Sequence, residues 1–153
     1  MNNFDLEKIG KTVDDIERYL RDLNELNVGK EEDLANKDRF YAASMITFSI
    51  MNRSIDLGNE IVSACKFGMP SSYRDIFEIL CREDVVDKEV RGKMIKLVYY
   101  RNLIAHEYHR INEKELFTMV KEIEIAERFM EQTREFVREK IKDQIVYIYN
   151  PKL

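Results

Sequence analysis

Apolar residues at Leu6, Ile9, Val13, Ile16, Leu20 and Leu23 step by threes and fours, which predicts an amphipathic helix from Phe4 to about Leu26. "NVGK" interrupts it at Gly29. A second helix is expected from about Glu32 to Phe67, apolar around much of its middle and therefore central. Gly68 and Pro70 end it, Gly68 being suited to a left-handed cap. "SSYRDIFEIL" reads as a short helix capped by Ser71 or Ser72. A fourth helix starts near Asp87 and carries Val90, Met94, Leu97, Val98 and Ala105 on its inner side. Asn112 followed by Glu115 forms a capping-box pattern. It opens a fifth helix to about Ile141 through Leu116, Val120, Ile123, Phe129 and Val137. In the tail "DQIVYIYNPKL", Ile145, Tyr147 and Tyr149 alternate as in a strand, yet no second strand is evident to pair with them. That reads as a packing tail or a partner-binding segment. The expected fold is all-α: an antiparallel helical bundle of four main helices plus a short extra helix. It forms one domain over residues 1–153, with the role of 143–153 open.

Composition narrows the class. The 153 residues are 44% hydrophobic and 35% charged, as in a globular protein rich in amphipathic helix. Two prolines and five glycines leave little punctuation for an all-β fold. A net charge of −4 argues against a broad nucleic-acid-coating face, though not against a small site that grips one phosphate. Cys65 and Cys81 are too few for a disulfide scaffold or a zinc site and read as reduced, partly buried thiols. "MNNFDLEKIGK" lacks an apolar signal core, and "AASMITFSIM" is about half the ~20 residues of a membrane span. The expectation is a cytoplasmic protein with no membrane contact. The methionines are expected to fill gaps in the core.

Proton-transfer chemistry is concentrated in "RNLIAHEY", Arg101 to Tyr108, since the only two histidines are His106 and His109. At ~100° per residue, Asn102 and His106 share a face, and Arg101 and Tyr108 lie ~20° apart. With His109 the set spans roughly 160°, provided the helix persists to Tyr108. Two readings are open. In one, this is a polar helix end: Asn102 and His106 bond backbone groups, and Arg101 pairs with a glutamate. In the other it is a phosphate site, where arginine offers a fixed fork to phosphodiester oxygens and histidine moves a proton near neutral pH. The second suffices for RNA cleavage without a metal. A base takes the 2′-hydroxyl proton, the 2′-oxygen attacks phosphorus, and the cation stabilises the developing charge. One helix gives one arginine and one histidine; a two-fold dimer packing this face on itself would give two of each.

Arg101–Asn102, three residues, His106, one residue, Tyr108 resembles the R-x4-H-x-Y signature of HepT-type toxins in the HEPN superfamily. "AASMITFSIMNRSIDLGNEIVSACKFGMPSSYRDIFEIL" is similar to that family's long second helix with its Ile55–Asp56 step, Pro-x-x-Tyr turn and short helix. "MIKLVYYRNLIAHEYHRINEKELF" is similar to its motif helix and the start of the next, so the resemblance covers roughly Arg39 to Phe117. It implies a homodimeric, all-α, metal-independent endoribonuclease, the toxin of a type VII-like toxin–antitoxin pair. The implied partner is a minimal nucleotidyltransferase (MNT) antitoxin. On this resemblance Arg101 and His106 are catalytic, Asn102 supports them, and Tyr108 accepts AMP from the antitoxin. ATP and Mg²⁺ serve that transfer and belong to the antitoxin; cleavage itself would need no cofactor and no metal. The alternative is a non-catalytic nucleotide- or substrate-binding partner of a nucleotidyltransferase; a third is a purely structural interaction protein. His109 lies outside the signature, as an accessory proton carrier or a solvent-facing histidine. Glu107 could orient a base or face water. Tyr99 and Tyr100 could stack on a base, but are expected rather at the dimer interface. Asp14–Asp15 and Glu31–Glu32–Asp33 read as solvated helix faces and ends.

Overall fold

The computed structural model describes residues 2–150, which contain six α-helices and no strand. They are α1 (Leu6–Glu25), α2 (Lys37–Ala64), α3 (Tyr73–Arg82), α4 (Lys88–Glu107), α5 (Glu113–Glu122) and α6 (Ile125–Tyr149). Four begin at a capping side chain: Asp5, Asn36, Ser72 and Asp87 each accept a hydrogen bond from the backbone N–H three residues on. α5 opens with the full capping box, Asn112 Oδ1 accepting from Glu115 N–H and Glu115 Oε2 from Asn112 N–H, both at 3.0 Å.

α2 is the central element and touches all five other helices. Lys8–Glu60 and Arg53–Asp15 pair α1 with α2 in antiparallel sense, and Arg134–Glu17 with Gln144–Asn2 lay α6 antiparallel along α1. Gly58 marks the closest approach of α3: a Cβ there would stand 2.8 Å from Ile76 Cγ2 and 3.2 Å from Leu80 Cδ1. Phe77 and Phe129 meet edge to face at 5.4 Å, both fully buried. Each such buried large side chain contributes about 1.5–3 kcal/mol by leaving water.

Several sequence expectations change. Residues Glu31–Ala35 form a separate 3-10 turn, and α2 begins afresh at Asn36, whose extended backbone (ψ 119°) cannot continue a helix. α2 ends at Ala64, not Phe67, and the left-handed residue behind it is Lys66 (φ 56°); Gly68 takes φ 123° in the loop beyond. The expected fifth helix breaks at Ile123–Glu124 into α5 and α6, so the long helices are α1, α2, α4 and α6, with two short ones. The break lets Ile123 and Ile125, two residues apart, both be buried. Ala105, expected on the inner side, is exposed. Tyr100 packs into this chain's own core, whereas Tyr99 is 63% exposed. The tail from Asp143 to Tyr149 is helical, the end of α6, and the alternation of Ile145, Tyr147 and Tyr149 leaves all three exposed. Its last residues, 151–153, lie outside the described residues. Met51, Met94, Met119 and Met130 do fill the core; Met45 and Met69 are exposed. Both cysteines are half-buried, and burial pushes the Cys65 thiol up. Among the described residues no helix is long and apolar enough to cross a membrane.

Candidate functional site

A row of α2 side chains at four-residue spacing, Phe40, Ser44, Phe48 and Asn52, faces the end of α4. Asn52 Oδ1 accepts a hydrogen bond from Arg101 Nε at 2.9 Å. The Arg101 guanidinium lies 5.5 Å from the Phe48 ring and 5.0 Å from the Tyr73 ring, so an aromatic face from α2 and one from α3 flank it. Its Nη1 donates to Asn102 Oδ1 at 3.1 Å. Among the described residues no carboxylate pairs with it. The polar-helix-end reading required a glutamate here, and the structure has two amides instead. Nε and Nη1 are engaged by these two amides, while Nη2 makes no hydrogen bond to a described residue. A cation half-buried, held by neutral groups and left uncompensated suits an incoming anion.

Eight residues back along α2, about 12 Å at 1.5 Å per residue, the same row holds Tyr108. The Tyr108 hydroxyl donates to Ser44 Oγ at 3.0 Å, and Ser44 Oγ donates to the Phe40 carbonyl at 2.8 Å. Phe40 and Tyr41 stand 6.3 and 6.5 Å from the Tyr108 ring. Because Asn52 meets Arg101 and Ser44 meets Tyr108, α2 and α4 run antiparallel.

The α-helix does not persist to Tyr108. Glu107 turns out of it (φ −135°, ψ 35°), and Tyr108–Arg110 form a 3-10 turn. The 160° arc is therefore replaced by two stations along α2, Arg101 with Asn102 at one and Tyr108 at the other. His106 lies between them in sequence, exposed on the last turn of α4, one turn beyond Asn102. His109 is exposed in the 3-10 turn. Neither imidazole hydrogen-bonds to a described side chain. Glu107 pairs with Arg110 at 3.1 Å. Asn52, Ser44, Phe48 and Tyr73 were missed from sequence; the first three share a four-residue row on α2, and Tyr73 reaches the site from α3. No three histidine, cysteine, aspartate or glutamate side chains of the described residues group to hold a metal ion.

Residues 16–142 match the family model described as HepT-like, Ribonuclease HepT-like. The chain belongs to the HepT-like family. Among its relatives, YutE of Bacillus subtilis, named provisionally as an RNase, is 31% identical over 67 residues, 44% of this chain and 46% of that protein. The mRNA nuclease HepT of Shewanella oneidensis is 31% identical over 58 residues, 38% of this chain and 44% of that one. The HepT-like chain thus spans under half the length of these curated relatives in alignment. The fold agreement is wider. The YutE structure superposes with a TM-score of 0.81 at 24% identity, covering 92% of this chain and 95% of that one. A tri-AMPylated Shewanella oneidensis HEPN toxin in complex with an MNT antitoxin superposes at 0.76 with 20% identity, covering 88% and 99%.

Proposed function

We propose that this HepT-like chain is an endoribonuclease toxin that cleaves RNA without a metal and is neutralised by AMP transfer to Tyr108 from an MNT antitoxin. The observation that carries the reading is the Arg101 guanidinium, flanked by Phe48 and Tyr73, fixed by Asn52 and Asn102, and unpaired with any described carboxylate. Membership of a ribonuclease family and a relative named as an mRNA nuclease support RNA as substrate.

In the proposed reaction a phosphodiester oxygen lies on the free edge of Arg101. His106 takes the proton of the adjacent 2′-hydroxyl, the 2′-oxygen bonds to phosphorus, and the P–O5′ bond breaks. The 5′-oxygen takes a proton from a second acid, leaving a 2′,3′-cyclic phosphate and a 5′-hydroxyl end. One chain has one histidine at the motif, so the second acid comes from a second copy, and we propose a homodimer of single-domain subunits. Exposed Tyr41, Met45 and Tyr99 on α2 and α4 supply apolar area for that packing. Asn102 supports Arg101 in this scheme. His109 stands at the cleft's edge as an accessory proton carrier.

Control follows from the other station. AMP transfer joins Tyr108 Oη to the α-phosphorus of ATP, pyrophosphate leaves, and the phenolic proton is lost. Ser44 then has no donor, the ring must leave its half-buried seat, and a negative adenylyl group stands where the RNA backbone would approach. ATP and Mg²⁺ in this step belong to the antitoxin.

The test is intact mass before and after incubation with the cognate nucleotidyltransferase and ATP–Mg²⁺, with RNA cleavage assayed on both samples. The expected result is added AMP on Tyr108 with loss of cleavage, while Tyr108→Phe cleaves but gains no mass. Cleavage retained by purified His106→Ala overturns the mechanism. No cleavage by unmodified protein supports instead a nucleotide-binding partner of the transferase.

A further inference from the structure

Beside Arg101, on the side away from Tyr108, an open cavity of about 880 Å³ lies between the second half of α2, the 68–72 loop with the start of α3, and α4. Two of its walls are parts of the Arg101 setting. Tyr73 is the ring against the guanidinium, and Asn102 is its hydrogen-bond partner. The cavity therefore begins within one side chain of the cation proposed to grip the scissile phosphate.

Its lining is chosen for a neutral, flat, hydrogen-bonding group. The buried apolar side chains of Ile55, Val62 and Ile76 form part of it. Asn59 and Ser63 extend along α2 from Asn52 at helical spacing, and with Asn102 they present amide and hydroxyl groups that donate and accept. The charges present are of both signs: Asp56, which pairs with Arg53 at 3.3 Å, and Arg74, which pairs loosely with Glu78 at 3.8 Å. A second phosphate would find no net positive field there. Tyr73 is 44% exposed and offers an aromatic wall for stacking.

We propose that this cavity receives an RNA base flanking the scissile phosphate, so that Asn59 and Ser63 read its edge and Tyr73 packs on its face. The inference rests on RNA being the ligand of Arg101. It gives the two sides of Arg101 different tasks: substrate reading towards α3, and control by modification towards Tyr108.

The test uses Asn59→Leu, which fills the cavity from an exposed helical position and removes the amide, and Asn59→Asp, which keeps the shape but removes the donor. Cut positions are mapped on a randomised RNA pool with wild type and both variants. Wild type is expected to prefer one base at a fixed position beside the cut. In Asn59→Leu that preference is lost and KM rises about tenfold, the scale of one lost base contact, while kcat stays within about threefold. In Asn59→Asp the preference moves to a different base. Absence of any preference in wild type, or the same preference and KM in all three proteins, overturns the inference. Should wild type cleave no RNA, the reading of the activity fails, and a separate measurement decides the cavity. Nucleoside monophosphates are titrated against ¹⁵N-labelled protein. Amide shifts at Asn59, Ser63 and Tyr73 that vanish in Asn59→Leu sustain the base site, and no shifts at millimolar nucleotide end it.

Discussion

The charge of Arg101 is left uncompensated because every side chain that positions it is neutral. Asn52 fixes Nε, Asn102 takes Nη1, and two aromatic rings limit how the guanidinium plane can turn. This predicts an unusual pair of substitutions. Asn52→Ala removes one anchor and should lower kcat by about 10-fold, part of the ~10²–10³ that one fixed charge-stabilising donor is worth. Asn52→Asp retains an acceptor of the same size at 2.9 Å and so keeps the geometry, yet it places a carboxylate on the cation. It should be the worse variant, close to Arg101→Ala in single-turnover cleavage, with an unchanged melting temperature. If Asn52→Asp cleaves as well as wild type, the unpaired charge is not what the site uses. Arg101, Asn102, His106 and Tyr108 could be picked out as candidates, from their clustering in the sequence and their resemblance to the R-x4-H-x-Y signature. Their partners could not, because Asn52 and Ser44 stand 49 and 64 residues away and only the packing of α2 on α4 brings them in. The angular estimate failed at Glu107, where the backbone leaves the helix without a glycine or proline to announce it.

At the scale of elements, three helix starts were legible, while the start of α2 and the break between α5 and α6 were not. Ser72, Asp87 and the Asn112–Glu115 box carry their own chemistry in the sequence. The α5–α6 junction has neither glycine nor proline; it forms because Ile123, Ile125 and Ala126 all find the core. Two junctions lend themselves to measurement. Asp87 caps α4 and also accepts from Gln132 at 2.7 Å and Arg128 at 3.2 Å on α6, so one carboxylate ties two long helices. The Val90 N–H, then the Gln132 amide and the Arg128 charge, hold its carboxyl below the ordinary range. A carboxyl so lowered stabilises the fold above its unfolded pKa, and that contribution disappears as pH falls through the folded value. Asp87→Ala should therefore melt below wild type at pH 7, and the gap between the two should narrow in strong acid. An equal gap at both pH values would mean the carboxylate charge contributes nothing. At Gly58 the issue is space. An added Cβ would meet Ile76 Cγ2 at 2.8 Å, inside ordinary contact, so α3 must shift. Overpacking of about 1–3 kcal/mol outweighs the ~1 kcal/mol that alanine adds to a helix interior. Gly58→Ala should lower the urea midpoint, and an unchanged or higher midpoint would show that α3 yields without cost.

At the scale of the whole molecule, a single chain is short of the acid–base pair that the proposed cleavage needs. The motif supplies one arginine and one imidazole, and the imidazole is exposed with no described partner to orient it. Oriented proton transfer needs the base held within hydrogen-bond reach of its target. Exposed apolar side chains of α2 and α4 include Tyr41 at 59%, Met45 at 62% and Tyr99 at 63%, area that a second copy would cover in the proposed dimer. Packing this surface on its two-fold mate would bring two Arg101–His106 sets into one cleft and concentrate positive charge on a chain whose net charge is −4. The consequence is separable from simple loss of function. Arg101→Ala and His106→Ala homodimers should each fall by at least about 10²-fold, the scale of one positioned proton carrier or cation. A heterodimer of one wild-type and one His106→Ala subunit keeps both arginines and a single imidazole. Co-expressing the two chains with different affinity tags and purifying on both isolates that heterodimer. It should fall by about 10²-fold, as the His106→Ala homodimer does, because the remaining base has no imidazole acid opposite it. If it keeps about half of the wild-type cleavage, one histidine suffices for each cut, and the second acid has to be sought elsewhere. If mixing yields no heterodimer and sedimentation gives a mass near 18.3 kDa, the surface serves another partner and the composite cleft falls with it.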